Sequence, residues 1–362
     1  MFLKAVFPGK YIQGEGIVGQ LPDWIHLLGK NGLILASRTA KDKILAKYSD
    51  VLSMHAIGVE PFQGECCEKE LTRLFSIIHD RKVDVLVGMG GGKAIDTAKI
   101  AADRSGIPVI IVPTIASTDA PCSGCAILYS EDGVFHSVHY QKMNPQVVLV
   151  DTRVIADAPI RFLVSGMGDA LATWFEARSC DRTQSVNECG GYSTMTGLHL
   201  ARLCYDTLLM YGPAAKIAAE KHIVTPALNR IAEANILLSG IGFESSGLAA
   251  AHAIHNGLTA LEETHGFYHG EKVAFGVLAG LQLEGALPSE SASVFSFCEE
   301  IGLPTTLAAI GLSDAGPQKL MKAAEKACAP GEAIHHEAGI ITAEKVLNAM
   351  IAADALGQAR KR

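Results

Sequence analysis

At 362 residues the chain exceeds the size at which one hydrophobic core usually keeps growing, so two domains are expected, each able to bury its own core. Hydrophobic residues at 49% and charged residues at 19% exclude a disordered chain. A formal net charge of -7 without a basic cluster argues against nucleic acid or an anionic membrane surface as partner, and no run approaches the roughly 20 apolar residues of a membrane span.

The N-terminal half alternates between two kinds of pattern. The opening "MFLKAVFPGKYIQG" has an early proline and glycine and no long apolar run, so it does not read as a signal peptide. "GLILAS", Gly32 to Ser37, is a short apolar run ended by polar residues, hence a buried strand. A Lys-rich segment of helical pattern follows, and "VLSMHAIGV" then reads as a second strand. Glu68 to His79 carries Leu71, Leu74, Phe75 and Ile78 on one stripe and predicts an amphipathic helix. "VDVLVGMGGGKAIDTAKIAADRSG" predicts a strand, a glycine turn and a helix, and "PVIIVPT" a further strand. Alternation of this kind implies a parallel sheet with helices on both faces.

Near Asp151 the pattern changes. From "TRVIADAPIRFLVSGMGDALATWFEAR" onward, alanine and leucine recur at helical spacing and strand-like runs nearly vanish. The division predicted is an α/β domain over 1–151 and an all-α domain over 152–362, to which the motifs below assign nucleotide binding and metal and substrate binding respectively. Nine scattered cysteines, an odd number, point to a reducing cytoplasm. "CSGC", Cys122 to Cys125, lacks the second ligand pair that a structural zinc needs, and reads as small buried thiols.

"VLVGMGGGKAIDTAK" places Gly90, Gly91 and Gly92 between a strand and a helix. Glycines let a backbone approach a ligand closely, and the helix start offers unpaired amides, a combination that holds a phosphate or pyrophosphate. It is neither GxGxxG nor a P-loop. Lys93 could add charge, and Asp96 could cap or hold the turn; a tight structural turn is the plainer alternative. "LILAS" ends in Ser37 before Arg38, where a nucleotide fold often has an acid for the adenosine ribose. An uncharged residue beside arginine tolerates a 2′-phosphate, so NAD and NADP both remain open.

"AAAHAIHNGLTALEETHGFYHGEK", beginning at Ala249, concentrates His252, His255, His265 and His269. Zinc and iron take imidazole plus carboxylate, and a catalytic site keeps one position open. His252 lies in a helical run of small residues, His269 follows a loop, and "SGMGDALATWFEAR" offers Asp169 as the acid. Each alone also fits an ordinary core or surface residue.

Together "GMGGGKAIDTAK", "PTIASTDAPCS", "GMGDALATWFEAR", "FESSGLAAAHAIHNGLT" and "HGEKVAFG" resemble the glycerol dehydrogenases, a zinc-dependent branch of the iron-containing alcohol dehydrogenase superfamily. The resemblance spans nearly the whole chain and implies the fold shared with dehydroquinate synthase. It implies Asp169, His252 and His269 as ligands of one zinc per subunit, with Thr173 standing where iron-dependent relatives have a fourth, histidine ligand. His255 is left as a relay or a simple neighbour, and His265 as a solvated loop residue. The resemblance further implies a pyrophosphate cradle of Gly90, Gly91, Gly92 and Lys93. Thr114, Ser117, Ser123, Cys125 and Tyr129 would line the rest of the NAD site. Asp119 would hydrogen-bond the polyol, though a turn aspartate is its plain reading, and Phe243 would wall the pocket or simply fill core. A small polyol substrate and a homo-oligomer, an octamer, are implied as well. Ser37 departs from the aspartate of these relatives and leaves an NADP(H)-preferring hydroxyketone reductase as the alternative. A dehydroquinate synthase-like lyase would need clustered Lys and Arg around Asp119, Asp169 and His252, and those segments offer almost none.

Overall fold

The computed structural model describes residues 2–361. Eight strands occur: β1 (Tyr11–Gly14), β2 (Gly32–Ala36), β3 (Gly58–Pro61), β4 (Val85–Gly90), β5 (Val109–Pro113), β6 (Cys125–Tyr129), β7 (Phe135–Tyr140) and β8 (Val147–Asp151). Six of them form a parallel sheet in the order β1-β8-β5-β4-β2-β3, and β6 and β7 pair as an antiparallel hairpin. The four inner strands are buried at every position, as their unbroken apolar runs require when helices cover both faces. Leu21 and Ile25 of the helix Leu21–Leu28 join Ile34, Val87, Ile110, Val112 and Leu149 in one buried cluster. This architecture is the α/β domain expected from the sequence, and the region after it is helical throughout, as expected.

Two local readings need correction. Only the end of "VLSMHAIGV" is extended; Ser49–Met54 is helical, because Leu52 is its one buried apolar residue and the neighbouring side chains face water. The hairpin of β6 and β7 was not foreseen either, although Asp132-Gly133 stands at its turn with Gly133 at φ 81°.

The chain divides into two compact units that interleave in sequence. The α/β unit is Phe7–Pro159 together with Ala218–Gly240; the helical unit takes Ile160–Ile217, the described residues from Ile241 onward and the first residues up to Val6. A single cut at 151 therefore does not describe the units. The segment 218–240 joins the α/β unit through specific polar contacts. Asn235 Nδ2 donates to the Ala116 carbonyl at 3.0 Å, Gln13 Nε2 to the Asn229 carbonyl at 3.0 Å, and Ser239 Oγ to Asp119 at 2.8 Å. Helical periodicity alone does not show such tertiary partners. No helix among the described residues is long and apolar enough to cross a membrane, and no disulfide joins their cysteines.

The strand order reverses at β2: β3 lies on one side of it, and the chain returns to place β4, still parallel, on the other. A crevice at the carboxyl ends of strands is expected at such a switch point, and Ser37 and Gly90 border it.

In the helical unit, two close helix crossings set the geometry. A Cβ on Gly270, in the helix His269–Glu284, would lie inside the van der Waals shell of the Ser165 carbonyl oxygen in the helix Ile160–Thr183. One on Gly168 would strike the Gly270 carbonyl. Likewise Gly276 meets the Ala251 carbonyl of the helix Ala250–Leu258. Arg161 then clamps the start of the third helix, donating to Glu271 at 2.6 and 2.8 Å. Overpacking at such a contact costs about 1–3 kcal/mol. Gly270→Ala is expected to lower the melting temperature by several degrees and to reduce bound metal, since it parts the backbones beside Asp169 and His269. Calorimetry and metal analysis on one preparation check both.

Candidate metal and dinucleotide sites

Asp169 follows Gly168 on the helix Ile160–Thr183, His252 follows Ala251, and His269 precedes Gly270, so each candidate ligand is adjacent to a close helix crossing. The three converge, with one donor atom from each lying within 4.8 Å of the others. His269 Nε2 is 3.0 Å and His252 Nε2 is 3.4 Å from Asp169 Oδ1. Metal bonds of about 2.0–2.2 Å at tetrahedral angles put donor atoms roughly 3.3 Å apart, so the set has the spacing of ligands that share one ion. Exposure rises from 1% for the Asp169 side chain to 15% for His252 and 36% for His269, leaving the open side of the group at His269.

The electrostatics agree with a cation site. Burial alone would raise the Asp169 carboxyl, yet His269 and His252 outweigh it and hold the group well below the usual carboxylate range. Burial alone would lower His252, and the Glu176 and Asp169 carboxylates reverse that and hold it well above the ordinary value. Thr173, one turn after Asp169, is buried and offers no imidazole.

His255 does not point at this donor set. Its Nε2 lies 3.0 Å from His269 Nδ1, and its Nδ1 lies 3.1 Å from Asn256 Oδ1. Burial first, then the charges of His269 and Lys272, push it well below the ordinary histidine value, so it stands as a neutral neighbour that backs His269. His265 is exposed and bonds the Thr259 carbonyl at 3.0 Å.

In the α/β unit the glycine turn is built closely around its neighbours. Gly91 is extended and starts the helix Gly92–Ser105, its carbonyl accepting from Ala94 and Ile95. That leaves the first amides of the helix without intrahelical partners. A Cβ on Gly90 would meet Ser37 Cβ at 3.0 Å, whereas one on Gly92 meets nothing within 4 Å, so open space faces the helix start. The Thr114 amide donates to the Gly90 carbonyl at 3.0 Å. Ser37 Oγ accepts from the Ala40 amide at 3.3 Å. Ser37, Gly90, Gly91, Gly92 and Thr114 thus form one group.

The other residues assigned to this site have different surroundings. Lys93 is paired with Glu65 at 2.5 Å and lies 4.9 Å over the Tyr129 ring. Burial, then Asp96, Glu65 and Cys66, push the Tyr129 phenol up to about 12. Ser123 is buried, and Ser117 and Cys125 are half-buried. Asp96 accepts from the Ile127 amide at 3.1 Å and so holds β6 rather than the turn. Asp119 receives the Ser239 hydroxyl, and Phe243 is buried in the helical unit.

Sequence reasoning missed two residues. Lys99 is fully buried and donates to the Ala120 carbonyl, to Ser123 Oγ at 3.2 Å and to the Cys125 carbonyl at 2.9 Å, which organises the loop 120–125. Glu176 accepts from His252 Nδ1 at 2.6 Å. Its position seven residues after Asp169, on the same helix face, was a legible signal.

The chain is similar to known proteins along its full length. A family model described as iron-containing alcohol dehydrogenase matches residues 8–152. A glycerol dehydrogenase of Thermotoga maritima is 49% identical over 100% of this chain and 99% of its own length. One of Pseudomonas putida is 48% identical over 97% of each. The crystal structure of glycerol dehydrogenase from Schizosaccharomyces pombe superposes with a TM-score of 0.94 at 34% identity, covering 99% of this chain and 92% of that one. With the fold and these identities in agreement, the chain belongs to the iron-containing alcohol dehydrogenase family.

Proposed function

We propose that the chain oxidises glycerol and other vicinal diols to hydroxyketones, with NAD as hydride acceptor and one zinc ion held by Asp169, His252 and His269. The observation that carries this reading is the convergence of those three side chains at ligand spacing. The full-length relatives named glycerol dehydrogenase support the substrate class. A three-ligand set with Thr173 in place of a fourth imidazole suits zinc with an open coordination position. A divalent ion bound there would supply Lewis acidity, easing loss of the substrate's hydroxyl proton near neutral pH.

The chain's own residues then have distinct tasks. NAD bound at the glycine turn would supply the hydride acceptor, so that glycerol, with its hydroxyl proton released to solvent, would give dihydroxyacetone and NADH. Asp169, fully buried, fixes one corner of the ion site; the more exposed His269 borders the side by which a diol enters. Asp119, oriented by Ser239, hydrogen-bonds the polyol, and Phe243 supplies apolar wall. The amides of Gly92 and Lys93 receive the pyrophosphate, while the Lys93 ammonium stays with Glu65. Thr114, Ser117, Ser123, Cys125 and Tyr129 line the remainder of the dinucleotide site. Cysteines without a disulfide fit a reducing cytoplasm, and a homo-octamer belongs to the same proposal.

One observation favours a second reading. Ser37 is uncharged beside Gly90, and the neighbouring Arg38 side chain is 96% exposed, so this corner accepts a 2′-phosphate as readily as a ribose diol. Under that reading the enzyme is a polyol or hydroxyketone reductase preferring NADP(H).

Three measurements test these assignments. Asp169→Asn is expected to abolish zinc retention and glycerol oxidation while NAD still binds, read by metal analysis and by fluorescence titration of the nucleotide; turnover at the wild-type rate would remove the ligand assignment. Gly92→Ala adds a methyl group to open space, so its melting temperature is expected to match wild type while the KM for the nucleotide rises. Ser37→Asp is expected to raise the NAD-over-NADP ratio of kcat/KM by roughly 100-fold, as a like charge facing the 2′-phosphate costs several kcal/mol. Wild-type rates with NADP(H) alone would establish the second reading.

A further inference from the structure

The helix that supplies Asp169 carries a second buried carboxylate two turns later. Glu176 is 1% exposed, and all three of its hydrogen-bond donors belong to the segment of His252. One oxygen, Oε1, accepts from the Ala249 amide at 3.0 Å and the His252 amide at 2.9 Å. The other, Oε2, lies 2.6 Å from His252 Nδ1. The His252 ring therefore spans two turns of one helix, with Nε2 toward Asp169 and Nδ1 against Glu176.

From this arrangement we infer that Glu176 is a positioning residue for the metal site: it holds His252 in the tautomer and orientation that turn Nε2 toward the ion. The inference rests on the reading that Asp169, His252 and His269 hold a divalent cation. An ionised carboxylate can only accept, so the Nδ1 facing it must carry the proton, which leaves the Nε2 lone pair for the metal. A carboxylate behind a ligating imidazole also raises the basicity of that ligand, and losing such a partner typically costs 10–100-fold in metal affinity. Charge balance points the same way. Two neutral imidazoles and Asp169 would leave a divalent ion with one uncompensated positive charge, and Glu176 is a buried carboxylate whose one side-chain partner in these bonds is His252 itself. The second histidine is backed differently, by the neutral ring of His255, so the two imidazoles are not equivalent ligands.

Glu176 also caps the helix Ala250–Leu258 through its two amide bonds, and a useful variant must separate the two roles. Glu176→Gln does so. Its carbonyl oxygen can keep both amides, but its NH2 group then faces Nδ1 and demands the opposite tautomer, with the proton on Nε2. Metal-free wild-type and E176Q protein would be titrated with Zn2+ against a chromophoric chelator, with thermal melts of the metal-free forms and visible spectra of the Co2+-loaded forms alongside. The expected result is a metal-free melting temperature close to wild type, zinc affinity lower by about 10–100-fold, and an altered Co2+ spectrum. Wild-type affinity and spectrum in E176Q would overturn the inference. Should E176Q not fold, Glu176→Asp carries the test: it stays charged but withdraws from Nδ1, with the same loss of affinity expected and unchanged affinity overturning it. Failure of the wild-type protein itself to bind zinc would instead bring down the metal reading on which the inference rests.

Discussion

The approach of two helix backbones at Gly168 and Gly270 is the constraint on which the metal site depends. Helices with side chains at the contact pack with axes about 8–10 Å apart, and glycines at the crossing let the backbones come closer. Here a single Cβ on Gly270 would collide with the Ser165 carbonyl, so the crossing tolerates no side chain. Asp169 and His269 sit beside the two glycines, and the short side chain of an aspartate reaches an imidazole on the facing helix only at that spacing. The third candidate ligand, His252, arrives by the same device, because Gly276 lets the helix Ala250–Leu258 press its Ala251 carbonyl against the helix that begins at His269. Ligand geometry is thus written into the packing of three helices and does not depend on a loop.

A buried site with this much charge would be costly if any member were left alone. Asp169 and Glu176 are both nearly inaccessible, and burying an isolated carboxylate costs several kcal/mol even after relaxation. His252 lies between them, with Nε2 3.4 Å from Asp169 Oδ1 and Nδ1 2.6 Å from Glu176 Oε2. The backbone contributes as well: the carboxylate of Glu176 receives the first amides of a helix, where the dipole favours negative charge. Side chains and helix ends therefore stabilise one another here, and removal of any one exposes the charge of the next.

Much of this was legible in the sequence, for identifiable reasons. Inner strands buried on both faces must read as unbroken apolar runs, so β2, β4 and β5 stand out, and the stripe of Leu71, Leu74 and Ile78 marks the helix Glu68–Asp80. Three successive glycines ending a strand announce the turn at Gly90. The ligand candidates were legible as residue types, but only the folded chain brings Asp169 within 3.4 Å of imidazoles more than eighty residues away. What was not legible depends on tertiary partners. The segment 218–240 has the periodicity of its helical neighbours, and its ties to the α/β unit are tertiary bonds such as those of Asn229, Asn235 and Ser239 to Gln13, Ala116 and Asp119. Lys99 reads as a solvated lysine on an amphipathic helix until its three acceptors are seen.

The two candidate sites are built on opposite principles, and this bears on how each can change. The glycine turn presents backbone amides and open space, so under the proposed reading it would hold phosphate through groups that every residue possesses and be sensitive chiefly to added bulk. Its surroundings are held from one helix, Gly92–Ser105: its start forms the turn, Asp96 reaches the Ile127 amide, and Lys99 gathers the loop 120–125. Ser37 stands at the margin of this frame: its backbone is tied to Met89 and Lys41, while its hydroxyl accepts from the nearby Ala40 amide. The metal group, by contrast, uses side chains of one chemistry each, locked by crossings that admit no extra atom. Under the proposed reading, coenzyme preference is therefore the property this fold could alter with one substitution at half-buried Ser37, while the candidate ligand set is fixed by the packing of the helices that carry it.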